Sequence, residues 1–192
     1  MGANGAPMPL TTVQADAHSR PSAFSEDRPQ AWQRLLGSAR IALGGIFLWA
    51  FVDKLFGLGF ATPSERAWVN GGSPTMGYLS SSTGPLGDAF QAIAGHAVTD
   101  ALFMLGLFSV GAALMVGIGT LVSALAGSLM MAMMYLSHPP WAAEGATNPV
   151  LDDHVAYALM LLAMAGAHAG RFVGLGRAWE KSALVRHHPW LA

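Results

Sequence analysis

In the stretch TNPVLDDH, residues 147–154, two carboxylates and an imidazole stand side by side where an apolar run begins. A carboxylate beside an imidazole can relay protons, because histidine titrates nearest neutrality. Groups of the same chemistry occur elsewhere as His96, Asp100 and His138, and as the adjacent pair Asp53 and Lys54. Neighbours on a helix point about 100° apart, so Asp53 and Lys54 cannot face one direction together. Lys54 has candidate partners in Asp53, Asp100 and Asp153. Two readings stand for it: an ion pair that fixes helix register, or the wall of a pocket that binds a ligand headgroup.

TNPVLDDH also has a purely structural reading. Asn148 suits an N-cap, Pro149 the first helical position, and Asp152 and Asp153 the first turn, where the helix dipole favours negative charge. Neutral imidazoles and carboxylates can bind divalent ions. However, His96, His138 and His154 are far apart in sequence with no HxxxH or HxH pair, so no metal site is assigned. Haem held by His154 and His168 on one helix is excluded, since that separation is about 21 Å. The chain has no cysteine, which removes disulfide relays, thiolate intermediates, iron–sulfur clusters and thiolate-held zinc. No flavin or nucleotide motif is present, and a net charge of -1 gives no reason to expect a nucleic-acid partner.

The elements that position these groups follow from composition. Of 192 residues, 53% are hydrophobic and 11% charged, with a mean hydropathy of +0.41, against about 25% charged in soluble domains. Residues 101–143 contain no Asp, Glu, Lys or Arg, room for two spans of roughly 20 residues each. The glycines of MVGIGT can reverse the chain between them. The expected fold is all-α, an integral membrane four-helix bundle over residues 31–175, with spans at about 34–61, 98–116, 120–136 and 150–170. Residues 62–97 form a long outer loop in which PLGDAFQAIAGH can make a short interfacial helix. Residues 1–30, rich in Ala, Pro, Ser and Gly, read as a disordered arm, and residues 176–192 as a short tail.

Arg20, Arg28, Arg34, Arg40, Arg171, Arg177, Lys181 and Arg186 fall on the side of the termini, against Lys54 and Arg66 opposite. Basic residues stay inside, so both termini are expected in the cytoplasm of a bacterial inner membrane. The outer side collects Asp53, Glu65, Asp88, Asp100, Glu144, Asp152 and Asp153. Ser38, Ala42 and Gly45, and Gly166 with Gly170, are candidates for close helix packing, within one chain or in a homo-oligomer. The methionines of LMMAMMY read as adaptable packing.

GGIFLWAFVDKLFG in the first helix, GYL and GPLGDAF in the loop, MLGLFSVGAALMVGIG in the second helix, and NPVLDDHVAYALMLLAMAGAHAGRFVGLGRAWEK at the end together resemble the DoxX family of four-helix bacterial membrane proteins. The long loop is most similar to the DoxD branch, the membrane subunit of thiosulfate:quinone oxidoreductase. The resemblance runs from Ala31 to Arg186, and the matching polar and glycine positions are Lys54, Asn148, Pro149, Asp153, His154, Gly170, Arg171 and Gly174. It departs after the second helix, where relatives resemble GLFTR and this chain has GIGT, without the basic residue.

The resemblance implies electron transfer from a reduced sulfur compound to quinone, with quinone as the cofactor and a second oxidoreductase subunit or soluble redox partner beside the membrane lipid. A quinone needs an apolar slot and a donor or proton carrier at each ring oxygen. Lys54, Asp153 and His154 are the candidate catalytic residues, with the ring near Lys54 and His154 and Asp153 orienting His154 or relaying protons. Asp100, His138 and Arg171 are candidates for binding the cofactor. The alternative is a noncatalytic anchor or scaffold for a redox or sulfur-handling partner. A transporter ranks third, because the chain has no internal repeat or midspan chain of charges.

Overall fold

The computed structural model describes residues 1–2, 30–142 and 145–191. Most of the arm expected over residues 1–30, and Glu144, lie outside this part. All regular structure among the described residues is helical. Helix α1 spans Ala31–Phe56, and two short helices, α2 (Met76–Leu79) and α3 (Gly87–Ala92), lie in the loop that follows. Then come α4 (Ala97–Val116), α5 (Thr120–Ser137) and α6 (Asp153–Gly166), and two short tail helices, α7 (Gly176–Glu180) and α8 (Ala183–His187).

Three segments, Ala31–Phe56, Ala97–Val116 and Thr120–Ala142, are long and apolar enough to cross a membrane. Their outward faces are apolar as well: Leu102 and Leu129 are 65% and 63% exposed. Water would not tolerate such a surface on a monomer, whereas lipid does, so the chain is a multi-pass membrane protein. Inward, Leu43, Phe47, Met104, Leu107, Val110, Leu114 and Leu161 make a continuous core. Helix α1 packs along α4, α4 along α5 and α5 along α6, while α1 and α6 meet over a short stretch.

The ends of the helices differ from the expected spans for local reasons. Helix α1 stops at Phe56 rather than near residue 61 because Gly57 turns left-handed at φ 65°, a conformation open to glycine. Between α4 and α5, Gly117 and Gly119 take φ 83° and 54° and reverse the chain as MVGIGT predicts. Helix α6 begins at Asp153, not residue 150, because the cap is Asp152, whose carboxylate accepts from the Val155 amide. Asn148 instead closes a turn before the helix, accepting from the Val150 and Leu151 amides. The helix ends at Gly166, and His168 is left-handed at φ 52°.

Close packing uses Gly170 of the expected glycines, but neither Gly45 nor Gly166. Gly44 and Gly111 bring α1 and α4 together, since a Cβ at either would stand 3.0 Å from the other's carbonyl oxygen. Gly45 and Gly166 have open space in that direction, while Gly170 lies against the Gly117 carbonyl.

The arrangement has two ends. At one lie the starts of α1 and α5 and the finishes of α4 and α6. There Arg40, fully buried, donates to the carbonyls of Leu114 and Val173, and the Leu175 amide donates to Val116. Hydrogen bonds to a charged donor contribute about 1.5–3 kcal/mol each. Arg40→Ala is therefore expected to lower the unfolding midpoint in detergent by about 10 °C, at roughly 2–4 °C per kcal/mol for a chain of this size. Arg40→Lys should recover less than half, since an ammonium lacks the fork that reaches both carbonyls. An unchanged midpoint in Arg40→Ala would show that these bonds do not hold the helices together.

Candidate functional site

At the opposite end, α1 finishes with Asp53 and Lys54, α4 opens with Asp100, α5 closes with His138 and α6 opens with Asp152, Asp153 and His154. The sequence places these groups on one face of the membrane, and the helices do bring them to one end.

Two of the carboxylates are occupied by the backbone. Asp53 accepts from the amides of Phe60 and Ala61 at 3.2 and 3.0 Å, holding the chain as it turns out of α1. The Oδ1 atom of Asp100 accepts from Ser73 Oγ (2.9 Å), the Thr75 amide (3.0 Å) and Thr75 Oγ1 (2.6 Å). A carboxylate that takes several such donors immobilises the loop that supplies them. The expected pairing of Lys54 with Asp53, Asp100 or Asp153 does not occur: no ion pair involves Lys54 among the described residues.

Lys54 instead lines two cavities. The inner one, about 210 Å³, lies among α1, α4, α5 and α6 and takes in Lys54, Phe103, Met134, His154 and Tyr157. Its walls are mostly apolar, and Lys54, His154 and Tyr157 are their ionisable members. The carboxylate that orients His154 is Asp152, with Oδ2 2.7 Å from His154 Nδ1, where the sequence reading gave that role to Asp153. A cap residue turns its side chain back over the first turn, and this brings Asp152 to the imidazole two positions on. Asp153 lies on the exposed side. With Nδ1 engaged, Nε2 is the ring nitrogen left to exchange a proton. One atom from each of Asp152, Asp153 and His154 falls within 4.8 Å of the others, a spacing compatible with a metal ion.

The outer cavity, about 330 Å³, lies beside α4 and α5 beneath the loop and is lined by Lys54, Thr75, Tyr78, Phe90, Phe103 and three methionines of LMMAMMY, Met130, Met133 and Met134, among others. Tyr78 donates to the Met134 carbonyl at 3.2 Å and packs against His138, with ring centroids 4.4 Å apart. Burial pushes the Tyr78 phenol above its ordinary pKa, and the nearby carboxylates of Asp152 and Asp153 push the same way, against a hydrogen bond with Ser137. His138 is tied to Ser81 and Ser137 through its two ring nitrogens, so it supports the rim.

Arg171 is not part of this assembly. It stands just past α6, at the Arg40 end, and pairs with Glu180 through a 2.6 Å contact. Tyr78, Phe103 and Met134 are not among the expected site residues: the sequence marks Tyr78 as an interfacial aromatic of the outer loop and Met134 as packing. For Phe103 and Met134, in apolar helices, no local signal was available. Compared with known proteins, the chain matches no family model, no curated protein and no solved structure.

Because Asp152 both caps α6 and holds His154, Asp152→Ala should destabilise the protein by about 1 kcal/mol, the usual loss for a cap. Asp153→Ala should leave the midpoint unchanged. Thermal unfolding of the two variants side by side checks this, and the reverse ranking would return the orienting role to Asp153.

Proposed function

We propose that this protein is a quinone-reactive inner-membrane subunit of the DoxX type, close to its DoxD branch, which passes electrons from a reduced sulfur compound such as thiosulfate to quinone. The observation that carries the reading is that Lys54, which makes no ion pair among the described residues, shares an apolar cavity with His154, whose imidazole is held by Asp152. An ionisable group held inside a membrane bundle is costly, and its retention points to use.

The cavity fits such a ligand. Its walls suit an apolar ring, the Lys54 ammonium can donate to one ring oxygen, and His154 Nε2 can deliver a proton at the other. Bound there, a quinone would supply the acceptor for two electrons and two protons. On the donor side, two thiosulfate ions would lose the two electrons as a sulfur–sulfur bond forms between them. With no cysteine and no cofactor motif of its own, the chain relies on a second subunit or a soluble partner to bring those electrons to the ring. Asp152 fixes the imidazole tautomer, and its partial exposure gives the proton a route in from solvent.

In this reading α6 is the fourth span of a four-helix bundle, both termini are cytoplasmic, and the Lys54 end faces outward. The distribution of basic residues supports that orientation. Since the chain has no cysteine, single cysteines report topology cleanly. Ser182→Cys should react with an impermeant maleimide only after the cells are opened, and Ser81→Cys in intact spheroplasts. The opposite pattern would invert the assignment.

Purification in mild detergent without added lipid, followed by solvent extraction, is expected to recover near-stoichiometric quinone from the wild type. Lys54→Ala should retain about a tenth of it or less, the loss expected from one charge-assisted hydrogen bond. A second reading, a noncatalytic anchor, draws on the folded tail, where Arg177, Lys181 and Arg186 stand exposed as a docking surface. An absence of quinone together with a persistently co-purifying soluble partner would replace the first reading by this one.

A further inference from the structure

The two cavities adjoin, with Lys54, Phe103 and Met134 in the walls of both. The outer one is roofed by Pro74, Thr75 and Tyr78, and Asp100 holds that roof down through its bonds to Ser73 and Thr75. At its edge stand Leu102 and Met133, 65% and 44% exposed, on the outward faces that α4 and α5 turn to lipid. The chamber is thus covered by the loop and open sideways.

Its chemistry differs from that of the inner cavity. The Thr75 and Tyr78 hydroxyls already donate to Asp100 and to the Met134 carbonyl. What remains is mainly aromatic and aliphatic wall with three methionines, whose unbranched side chains adapt to a flexible occupant. A site that offers the head of a ligand one cation and one imidazole on one side of Lys54, and apolar surface leading to the bilayer on the other, is shaped for an amphiphile.

We propose that the outer chamber houses the apolar tail of the molecule whose headgroup stands at Lys54 and His154, the tail passing Phe103 and Met134 and leaving between α4 and α5. This rests on the quinone reading of the inner cavity and adds where the tail of such a ligand lies: in the outer chamber rather than directly between the inner cavity and the lipid. Phe103 and Met134 then determine how the ligand bends between the chambers.

The test is equilibrium binding, in one detergent and corrected for partition into empty micelles, of a decyl-substituted benzoquinone and of the same ring without its chain. The wild type should prefer the decyl compound by about tenfold, the gain from roughly two well-buried methylenes. Met133→Trp fills the chamber from its lipid-facing edge and should reduce that preference to within about twofold. Leu102→Trp does the same from α4 and guards against a folding defect peculiar to one variant. If both folded tryptophan variants keep the full preference while Lys54→Ala loses the ring, the tail assignment falls and the headgroup site stands. If the wild type binds neither compound, the quinone reading fails and takes the tail assignment with it.

Discussion

A guanidinium shut away from water among apolar helices must find acceptors, and Arg40 finds them where several pieces of chain converge. Carbonyls at the finish of α4 and in the segment after α6 have no partners within their own helices. Arg40 supplies partners from α1 and so ties three separate parts of the sequence at one point. Glycine is needed around it: Gly117 and Gly174 have positive φ, and a Cβ at either would press on the guanidinium. The fixed cation, the reversal at Gly117 and the loop after α6 therefore form a single constraint. At the far end, Asp53 and Asp100 act in the same way with the sign reversed, each drawing backbone amides onto a carboxylate. Lys54 is the ionisable group at that end of α1 that this scheme leaves over.

Sequence carried a good deal of this. The uncharged stretch over residues 101–143 and its central glycines marked α4, the reversal and α5, because membrane spans are written in composition and glycine turns in single residues. It also marked the end at which His138, His154, Asp100 and Lys54 gather. It misjudged how the charges pair, since a carboxylate near a lysine in sequence can equally turn to a loop amide, and only the path of the loop decides. The exchange of Asp153 for Asp152 beside His154 has the same origin: one residue's difference in where α6 begins moves the cap, and with it the carboxylate that faces the ring. Gly44 rather than Gly45 makes the α1–α4 contact because the small-residue pattern gives a spacing but not the rotation of the helix about its axis.

The cavities follow from how the helices pair. α1 lies along α4 and α6 along α5, while contact between α1 and α6 is slight, so the interior beside Lys54 is left unfilled, bordered by α1, α4, α5 and α6. His154 and Tyr157 of α6 line it without filling it.

The length of α6 has a further effect, on the surroundings rather than on the ligand. On the proposed reading in which α6 is the fourth span, its 14 residues give about 21 Å of helix against a hydrocarbon layer of about 30 Å. Lipid in contact with that side must compress, or headgroups and water must sink toward the ends of the helix, and either response costs a fraction of a kcal/mol per ångström of mismatch. On that reading the bilayer would be thinnest along the flank that carries Asp152 and His154, and hydrophobic mismatch would bring the aqueous phase to these residues.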